Sequence, residues 1–329
     1  MNHKIAFLTE MGFSGKIRED HENMRTEFAW MSALNADHYP ISLFYKVENY
    51  DHVFLIIPKG EVYLNAVGSR LVDKTNSINE LLKSNFHKCL KEKNKKIHFV
   101  QEGPHWLFND YEIIDQINFY NIISECDTIF AHNEIDVKYY SGMFPNKPIH
   151  VMPTLMIETL IEDIKPNKTD LAIIGGNFSR WYGGFESYTV AQEFGVPIWA
   201  QDSHSKREYE DQLDNLNHFP RLMWNQWMQE LSKFKYAVHL MPTVAAGTFS
   251  LNCAYFAIPC IGNKKVDTQR LCHPELSVDV HDIELARKLA KKLKEDSDFY
   301  KECSLNAELY YNQHYHKNIW LNYMNEILS

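Results

Sequence analysis

Three short stretches of this sequence combine glycine with hydroxyl, amide or basic side chains. They are GFSGK (12–16), GGNFSR (175–180) and GTFS (247–250). Glycine lets a ligand approach the backbone closely, and the arginine of the second stretch presents a planar group that suits a diphosphate. Each stretch follows an apolar run of strand length. We therefore interpret them as loops after strands, placed to contact phosphate or sugar groups.

The first of these loops does not match the common nucleotide-binding loops. A P-loop requires two glycines five residues apart, followed by Lys and Ser or Thr. Here Gly12 and Gly15 are three apart, and Ile17 follows Lys16. The dinucleotide pattern G-x-G-x-x-G is absent from this loop as well. Its function must therefore be inferred from the rest of the chain.

The second and third loops carry the groups that a nucleoside diphosphate needs. The apolar run at 171–174 is followed by two glycines and three polar side chains: Gly175, Gly176, Asn177, Ser179 and Arg180. Gly247, Thr248 and Ser250 begin a predicted buried helix, and a helix N-terminus with hydroxyl groups attracts anions. The alternatives are a plain strand–turn–helix connection with a surface arginine, and an ordinary capped core helix.

The composition is typical of a packed soluble protein. The 329 residues are enough for two domains, with 45% apolar and 23% charged residues. The net charge of −9 argues against binding nucleic acid over the whole surface, although a local basic groove stays open. The six cysteines form no CxxC pair, and no signal segment or membrane-length apolar run is present. We expect a cytoplasmic protein with reduced thiols.

Two series of apolar runs alternate with helix-like segments. The first series is KIAFLT (4–9), ISLFY (41–45), HVFLII (52–57), KIHFV (96–100), DTIFA (127–131) and PIHVM (148–152). The second is LAIIGG (171–176), VPIWA (196–200), YAVHLM (236–241), IPCIG (258–262) and LSV (276–278). Helices are predicted between them, for example at 23–34 and 78–90, and Asp282 is expected to cap another. Short apolar runs without alternation indicate parallel strands that are covered on both faces.

The polar join at 161–170, which contains Pro166, is predicted to link two doubly wound α/β domains. Ligands of such sheets bind beyond the carboxyl ends of the strands. In this chain those ends carry residues 11–16, 102–105, 175–180 and 246–250. The candidate loops therefore fall where a ligand site is expected.

The order of these motifs resembles the GT-B glycosyltransferases and, within them, the bacteriophage DNA β-glucosyltransferases that modify hydroxymethylcytosine. The segment 247–259 is similar to their donor motif, and EMG (10–12), KIHFVQE (96–102) and GGNFSR (175–180) recur in the same order. The resemblance covers most of the chain with gaps, and GGNF is its most specific part. It implies two Rossmann-like domains facing a cleft, with a C-terminal helix crossing back to the N-terminal domain. Residues 1–163 with the helix 310–329 would bind the acceptor, and 164–309 the nucleotide-sugar.

The resemblance also implies the substrates. The donor would be a nucleotide-sugar, most often a uridine one, and the acceptor a hydroxymethylated pyrimidine in double-stranded phage DNA, modified in the cytoplasm of the host. No cofactor is required, and no metal is indicated, since His314 and His316 make no convincing metal pair. The implied donor-binding residues are Gly12, Gly175, Gly176, Asn177, Ser179, Arg180, Gly247, Thr248, Ser250 and Asn252. The implied acceptor-binding residues are Lys16, Arg18, His21, Arg25 and His105.

The chain departs from related enzymes at the donor motif. The large retaining families place two glutamates there, where this sequence has Val244 and Asn252. The arginine of the DNA enzymes is replaced by Phe249. These differences point away from retention by that machinery and leave Arg180 and the hydroxyl groups to hold the phosphates. The resemblance accordingly implies an inverting reaction.

Glu102 is the predicted catalytic base, because it follows strand KIHFV and matches the acid of the phage enzymes with a one-residue gap. An inverting transfer needs a carboxylate that takes the proton of the attacking hydroxyl. The alternative is a solvated loop glutamate. The GFSGK loop would close over sugar and acceptor, with a solvated helix start as its alternative. The lysine-rich stretch 83–96 is read as a solvated helix face that could flank DNA.

Two other functions stay open on the sequence. One is a glycosyltransferase acting on a surface polysaccharide or a lipid-linked sugar, although no basic and apolar helix that would face a membrane is evident. The other is a two-domain sugar-binding protein, against which the missing signal peptide speaks. A transfer or hydrolysis assay separates the enzyme from the binding protein.

Overall fold

The computed structural model describes residues 3–57, 86–110, 113–176, 178, 181–201 and 209–329. The chain divides into two compact units. Unit 1 comprises Met1–Glu19, Glu27–Pro153 and Leu321–Ser329, and unit 2 comprises Asp20–Thr26 and Thr154–Trp320. Each unit contains one six-stranded parallel sheet, so the predicted α/β class with two Rossmann-like halves is confirmed.

Unit 1 is built on the strands β1 (Ile5–Thr9), β2 (Asp37–Pro40), β3 (His52–Ile56), β4 (Lys96–Val100), β5 (Thr128–Ala131) and β6 (Ile149–Val151). They lie in the order β2-β1-β3-β4-β5-β6. The described helices are α1 (Glu27–Ala33), α2 (Phe86–Lys93), α3 (Ile113–Glu125) and α4 (Glu134–Met143), with 3-10 turns at Ile41–Lys46 and Leu107–Asp110. The strands β1, β3 and β5 are buried along their whole length, which explains their unbroken apolar runs.

Unit 2 is built on β7 (Thr169–Ile174), β8 (Ile198–Gln201), β9 (Leu216–Phe219), β10 (Phe234–His239), β11 (Cys260–Asn263) and β12 (Ser277–Val278), in the order β12-β11-β10-β7-β8-β9. Its described helices are α5 (Gly184–Ala191), α6 (Trp224–Leu231), α7 (Thr248–Tyr255), α8 (Asp267–Cys272), α9 (Ile283–Glu295) and α10 (Ser297–His314). Shorter 3-10 turns lie at Glu158–Leu160, Gln192–Phe194, Glu210–Gln212 and Pro274–Leu276.

The direction in which the strands are added reverses once in each sheet. In unit 1 the reversal lies between β1 and β3, and in unit 2 between β7 and β10. At such a point the connections leave toward opposite sides, which opens a crevice at the carboxyl ends of the strands. The loop that begins at Glu10 follows β1, and Gly175 follows β7. Two of the predicted loops therefore begin at switch points.

The last helix, α11 (Lys317–Leu328), returns the chain to unit 1. Within that unit the Tyr323 hydroxyl donates a hydrogen bond to the Val151 carbonyl at 2.9 Å. Met324 and Leu328, one helical turn apart, are buried. The predicted crossing of the C-terminal helix to the first unit is confirmed.

The structure corrects several details of the predicted elements. ISLFY (41–45) is a 3-10 turn, and the strand of that region is Asp37–Pro40. Helix α1 begins at Glu27, later than predicted, and residues 78–85 of the predicted 78–90 helix lie outside the described residues. Asp282 caps α9 as predicted, accepting a hydrogen bond from the Leu285 N–H at 3.0 Å. No helix among the described residues is long and apolar enough to cross a membrane.

Candidate functional site

The carboxyl end of β7 meets the carboxyl end of β10 with no space for a side chain at Gly175. A methyl group there would lie 2.6 Å from Cγ of His239 and 2.8 Å from the Phe249 ring. The Gly175 N–H also donates to the Val238 carbonyl, which continues the pairing of the two strands beyond β7. Glycine is therefore required at the switch point of unit 2 by packing against the end of β10.

His239, the last residue of β10, is a polar side chain in this tightly packed region. Burial lowers its pKa to about 4, so the ring is neutral near neutral pH. Its Nε2 atom is buried and has no hydrogen-bond partner among the described residues. No sequence pattern marks this residue as functional, because a histidine within an apolar strand is usually part of the core.

Helix α7 begins at a left-handed glycine, as the pattern GTFS predicted. Gly247 has φ +73°, and a methyl group there would lie 2.1 Å from Oγ1 of Thr268. The Thr268 hydroxyl donates to the Gly247 carbonyl at 2.8 Å, and Oγ of Ser250 lies 2.7 Å from Oγ1 of Thr268. These bonds fix the start of the helix from within.

The predicted donor-binding residues of α7 differ in their burial. Ser250 and Asn252 are buried, and the Ser250 hydroxyl also donates to the Gly247 carbonyl at 3.1 Å. Thr248, in the first turn, is only half-buried. Backbone N–H groups and Thr248 are thus the groups of this helix end that are best placed to meet a ligand.

The loop after β7 is only partly described. Asn177, Ser179 and Arg180 lie outside the described residues, so their predicted contacts stay predictions. Gly176 has φ +76°, a conformation that favours glycine, and a methyl group there would lie 2.8 Å from Cβ of Tyr182. Phe178 is buried in the core of unit 2.

In unit 1 the loop after β1 pairs back onto the edge strand. Gly15 and His38 exchange two backbone hydrogen bonds of 2.9 Å, and Nε2 of His38 lies 2.8 Å from the Thr9 hydroxyl. Burial lowers the pKa of His38 to about 4. The Gly15 backbone has φ +125°, whereas Gly12 is surrounded by open space. The loop is therefore held at its C-terminal part and open at Gly12.

The predicted acceptor-binding residues of the opening segment divide between the two units. Lys16 and Arg18 belong to unit 1, and His21 and Arg25 lie in the segment Asp20–Thr26, which belongs to unit 2. Nζ of Lys16 donates to the carbonyl and side-chain oxygens of Asn35, both at 2.8 Å. Arg18 and Arg25 are exposed, and His21 is half-buried.

The lysines of α2 and its flanks are mostly engaged with acids. Lys91 is paired with Asp127, Lys93 with Glu48 and Lys95 with Asp51. These contacts tie the helix and the strand that follows it to neighbouring segments of unit 1. They favour the interpretation of this stretch as a solvated helix face.

A hydrogen-bonded network of polar side chains lies at the carboxyl ends of β4 and β5. Nδ1 of His105 is 2.7 Å from Oδ1 of Asp136, a carboxylate with 0% exposure. The other oxygen of Asp136 accepts from Nε2 of Gln101 and from Nδ2 of Asn133, each at 3.3 Å. Glu102 is half-buried between Gln101 and Gly103, which has φ +67°. The predicted residues Glu102 and His105 thus share one short loop.

Asp136 and Gln101 were missed in the sequence. The signal that could have found Asp136 is its place in HNEID, immediately after the apolar run that forms β5. The carboxyl ends of adjacent parallel strands meet at one edge, so this position places the aspartate near the loop after β4. Among the described residues no group of histidine, cysteine and acidic side chains could hold a metal ion.

His105 also borders a cavity of about 280 Å³ between α3 and α4. Its walls are largely apolar and aromatic, and its polar members are His105, Asn109 and Gln116. The His105 ring packs against Tyr139 with the ring centroids 4.2 Å apart. The imidazole is therefore held by a carboxylate, rests on an aromatic ring and stands beside open volume.

No protein-family model and no curated protein matches this sequence. Solved structures do match it. One is an alpha-glucosyltransferase in complex with UDP and a 13-mer DNA containing an HMU base, with TM-score 0.62, 11% identity and full coverage of both chains. Another is the sucrose-phosphate synthase of Thermosynechococcus elongatus, with TM-score 0.63, 9% identity and coverage of 99% of this chain and 98% of that one.

The alpha,alpha-trehalose 6-phosphate synthase of Burkholderia multivorans has TM-score 0.60 and 9% identity, covering 87% of this chain and 71% of that one. At such identities the likeness establishes the fold. The chain has the GT-B fold of these enzymes, with two Rossmann-like halves and a C-terminal helix that returns to the first half.

Proposed function

We propose that the protein is a glycosyltransferase that moves a sugar from a nucleotide-sugar, most simply a UDP-sugar, to a hydroxyl acceptor. The observation that carries this proposal is the switch point of unit 2. There Gly175, the end of β10 and the start of α7 meet in a fold shared over its full length with a UDP-bound alpha-glucosyltransferase. Residues 164–309 form the proposed donor domain, and residues 1–163 with the helix 310–329 form the acceptor domain.

The proposed contacts with the nucleotide-sugar are those expected for binding a diphosphate. The backbone N–H groups at the start of α7 and the hydroxyl of Thr248 suit the negative oxygens of a diphosphate. Arg180 and Ser179, in the loop after β7, supply further hydrogen-bond donors in this proposal. Asn177, Gly175 and Gly176 are the remaining proposed contacts of this domain with the nucleotide-sugar. The reaction requires no metal, since these groups neutralise the leaving diphosphate.

The proposed acceptor is a hydroxymethylated pyrimidine in double-stranded DNA. It is supported by the sequence resemblance to phage DNA glucosyltransferases and by the fold likeness to an enzyme that was crystallised with HMU-containing DNA. The exposed Arg18 and Arg25, together with Lys16, are the proposed phosphate contacts, and His21 and His105 the proposed polar contacts. The proposed place of action is the cytoplasm.

Two observations favour a second acceptor class. The fold matches two sugar-phosphate synthases as well as it matches the DNA enzyme, with TM-scores of 0.63 and 0.60 against 0.62. The net charge of −9 also suits a carbohydrate acceptor better than a polyanion. A transferase acting on a carbohydrate is therefore the second candidate.

The test incubates the protein with a panel of nucleotide-sugars and three acceptors: a hydroxymethylated duplex, the same duplex without hydroxymethyl groups, and a set of oligosaccharides and sugar phosphates. Mass spectrometry follows the acceptors, and release of the nucleoside diphosphate is measured in parallel. Addition of a sugar to the hydroxymethylated duplex alone supports the DNA proposal. Addition to a carbohydrate alone supports the second candidate, and binding without transfer contradicts both.

The product of the same assay also shows whether the anomeric configuration of the transferred sugar is inverted or retained. We propose inversion, because Val244 and Asn252 stand where retaining enzymes place glutamates. The DNA enzyme of similar fold is an alpha-glucosyltransferase, whereas inversion predicts a β-linked product for this protein. A β-linked product from an α-linked donor, seen in the proton coupling of the anomeric position, supports inversion. An α-linked product contradicts it.

A further inference from the structure

We infer that the cavity between α3 and α4 of unit 1 is a binding site for a small uncharged aromatic molecule that carries a hydroxyl group. The cavity lies within unit 1, and its binding of such a molecule is independent of the proposed sugar transfer. It combines aromatic walls, which suit a flat apolar ring, with a polar end at which two side chains have unused hydrogen-bonding capacity.

The cavity lies beside β5 and β6, away from the switch point of unit 1. That switch point is between β1 and β3, whereas α3 and α4 connect β4 to β5 and β5 to β6. His105 and Asn109, which follow β4, border one end of the cavity. Ile123, in the last turn of α3, and Phe144, directly after α4, also line it. The cavity therefore extends along both helices, which run back toward the amino ends of the strands.

Aromatic side chains form much of the cavity wall. Of the described lining residues, five are phenylalanine or tyrosine and three are isoleucine or methionine. The rings of Tyr120 and Phe144 are stacked with their centroids 5.2 Å apart. Ligand pockets are typically lined in this way, with a few polar groups that fix orientation. Because no lysine, arginine, aspartate or glutamate is among the described lining residues, the walls favour an uncharged ligand with a flat ring.

The hydroxyl of Tyr140 is a buried polar group without a partner. This residue is 3% exposed and lines the cavity, and its Oη has no hydrogen-bond partner among the described residues. Burial, and next the charge of Asp136, raises the pKa of this hydroxyl, so it keeps its proton. Buried hydroxyl groups are normally hydrogen-bonded, because leaving one unpaired is costly. A ligand oxygen would supply the missing acceptor.

His105 provides a hydrogen-bond acceptor at the same cavity. Its Nδ1 lies 2.7 Å from Oδ1 of Asp136, which is fully buried. The other oxygen of Asp136 accepts from Gln101 and Asn133, each at 3.3 Å, which leaves the first for the imidazole. Since a carboxylate accepts hydrogen bonds, Nδ1 carries the hydrogen and the lone pair of the neutral ring is on Nε2. The His105 side chain is 27% exposed, so a ligand hydroxyl can approach the ring.

One hydroxyl group on the ligand meets the needs of both side chains. It donates its hydrogen to Nε2 of His105 and accepts a hydrogen bond from the Tyr140 hydroxyl. The Tyr139 ring, whose centroid is 4.2 Å from that of the imidazole, adds an aromatic surface at this end. A phenol has both the flat ring and the hydroxyl. A carboxylate ligand has no hydrogen to donate to His105, and its charge would be repelled by that of Asp136.

The test measures the binding of p-cresol, toluene and p-toluate, which share a methyl-substituted ring, to the whole chain. NMR titration follows the methionine methyl groups. Met143 lines the cavity and reports occupancy, whereas Met31, on α1, is outside the described lining and is the internal control. We expect p-cresol to shift the Met143 signal and to bind about 5- to 150-fold more tightly than toluene, the gain from two hydrogen bonds. Binding of p-toluate should be the weakest.

Two results of this titration would overturn the inference. One is an unchanged Met143 signal at millimolar p-cresol. The other is binding of toluene or p-toluate that is as tight as that of p-cresol. A shift of Met31 equal to that of Met143 would show binding outside the cavity and would overturn it as well.

The variant Tyr140→Phe tests the polar end, because it keeps the ring and removes only the hydroxyl. The affinity for p-cresol should fall about 2- to 10-fold, the contribution of one hydrogen bond, and the affinity for toluene should not fall. An unchanged affinity for p-cresol contradicts the proposed contact. Thermal unfolding checks that the variant is folded, and if it is not, the comparison of p-cresol with toluene in wild type decides.

The variant Ile117→Trp tests the location. Ile117 lines the cavity and is 48% exposed, so a larger side chain can occupy the opening without disturbing the core. Its substitution should weaken the binding of p-cresol and of toluene by more than about tenfold. Ile114→Trp is the matched control, because Ile114 is also 48% exposed on α3 but is outside the described lining. Equal effects of the two substitutions would refute the location.

Discussion

At the scale of single residues, crowding by neighbouring protein atoms explains the glycines at positions 175 and 247. A methyl group added at Gly175 or at Gly247 would lie 2.6 Å or 2.1 Å from the nearest protein atom, so the packing requires glycine at both positions. Both lie at the carboxyl ends of adjacent central strands or just after them.

Gly247→Ala should lower the free energy of unfolding by at least about 1–3 kcal/mol. The left-handed φ of +73° is unfavourable for alanine, and the contact with Thr268 adds to that cost. Urea unfolding measures the change. Gly142→Ala is the matched control, because this exposed glycine of α4 has open space around it and alanine there should stabilise by up to about 1 kcal/mol. Equal effects of the two substitutions would refute the packing argument.

Arg180→Ala should weaken the binding of UDP by roughly 10- to 150-fold, since a hydrogen bond to a charged group contributes about 1.5–3 kcal/mol. Acceptor binding should change little. Calorimetry with UDP measures the effect, and Arg287→Ala is the control, because Arg287, on α9, pairs with Glu193. Undiminished UDP affinity in Arg180→Ala removes this residue from the donor site.

The sequence was informative about which loops carry polar groups and less so about what those groups contact. GTFS predicted a helix start, and the structure has one at Thr248. Ser250, however, points its hydroxyl at Gly247 and Thr268, and the partner Thr268 lies 18 residues away in the chain. The pair of His105 and Asp136 spans 31 residues and depends on the pairing of β4 with β5. Such long-range contacts leave no periodic trace in one sequence.

At the scale of elements, burial decided which strands could be predicted. The central strands are covered on both faces and read as apolar runs. The two misjudged strands, β2 and β9, are both edge strands of four residues with polar members, DHYP and LNHF. The apolar run ISLFY predicts a strand, but it follows Pro40 and forms a 3-10 turn that buries Ile41. A short apolar run without alternation fits either conformation.

The strands β3 and β4 meet at a pair of buried histidines that should make unit 1 sensitive to acid. Nδ1 of His52 lies 2.9 Å from Nε2 of His98. Burial is the main cause that lowers the pKa of His52 to about 4 and that of His98 to about 3, and positive neighbours such as Lys96 lower both further. Asp51 and Asp127 oppose these shifts in part.

Because the folded pKa lies below the unfolded value of about 6.5, the unfolded chain binds more protons as the pH falls. The stability from these neutral rings is present above about pH 6.5 and is lost toward about pH 4, at up to about 1.4 kcal/mol per pH unit for each histidine. Urea unfolding should be measured from about pH 4 to about pH 6.5. Over this range the unfolding of His98→Gln should take up about one proton fewer than the unfolding of wild type. His281→Gln, at an exposed position, should match wild type. Equal slopes in all three proteins would contradict the assignment.

At the scale of the whole molecule, the net charge of −9 constrains how DNA would be bound. Binding must rest on local basic residues, and several lysines around α2 are already paired with acids. The exposed Arg18 and Arg25 are the proposed phosphate contacts. The effect of salt on binding therefore distinguishes a DNA acceptor from a carbohydrate acceptor.

Affinity for a hydroxymethylated duplex should therefore fall linearly on a plot of log K against log salt, because phosphate contacts release counterions. Replacing both Arg18 and Arg25 by glutamine should reduce the slope by about 2, since each phosphate that is no longer neutralised accounts for about 0.9. Fluorescence anisotropy over a salt series measures it, with Arg287→Gln as the control. A slope that is flat in wild type would favour the carbohydrate acceptor.

The principal proposal is that this protein transfers a sugar from a nucleotide donor to a hydroxyl group. Its most direct test is to supply UDP-glucose with a uniformly labelled sugar and to follow label and free UDP together in the presence of a hydroxymethylated duplex. We expect labelled hexose to appear on the duplex with one UDP released for each hexose added, and the unmodified duplex to gain none. UDP release without label on the duplex or on any carbohydrate acceptor, or no consumption of any nucleotide-sugar at all, would contradict it.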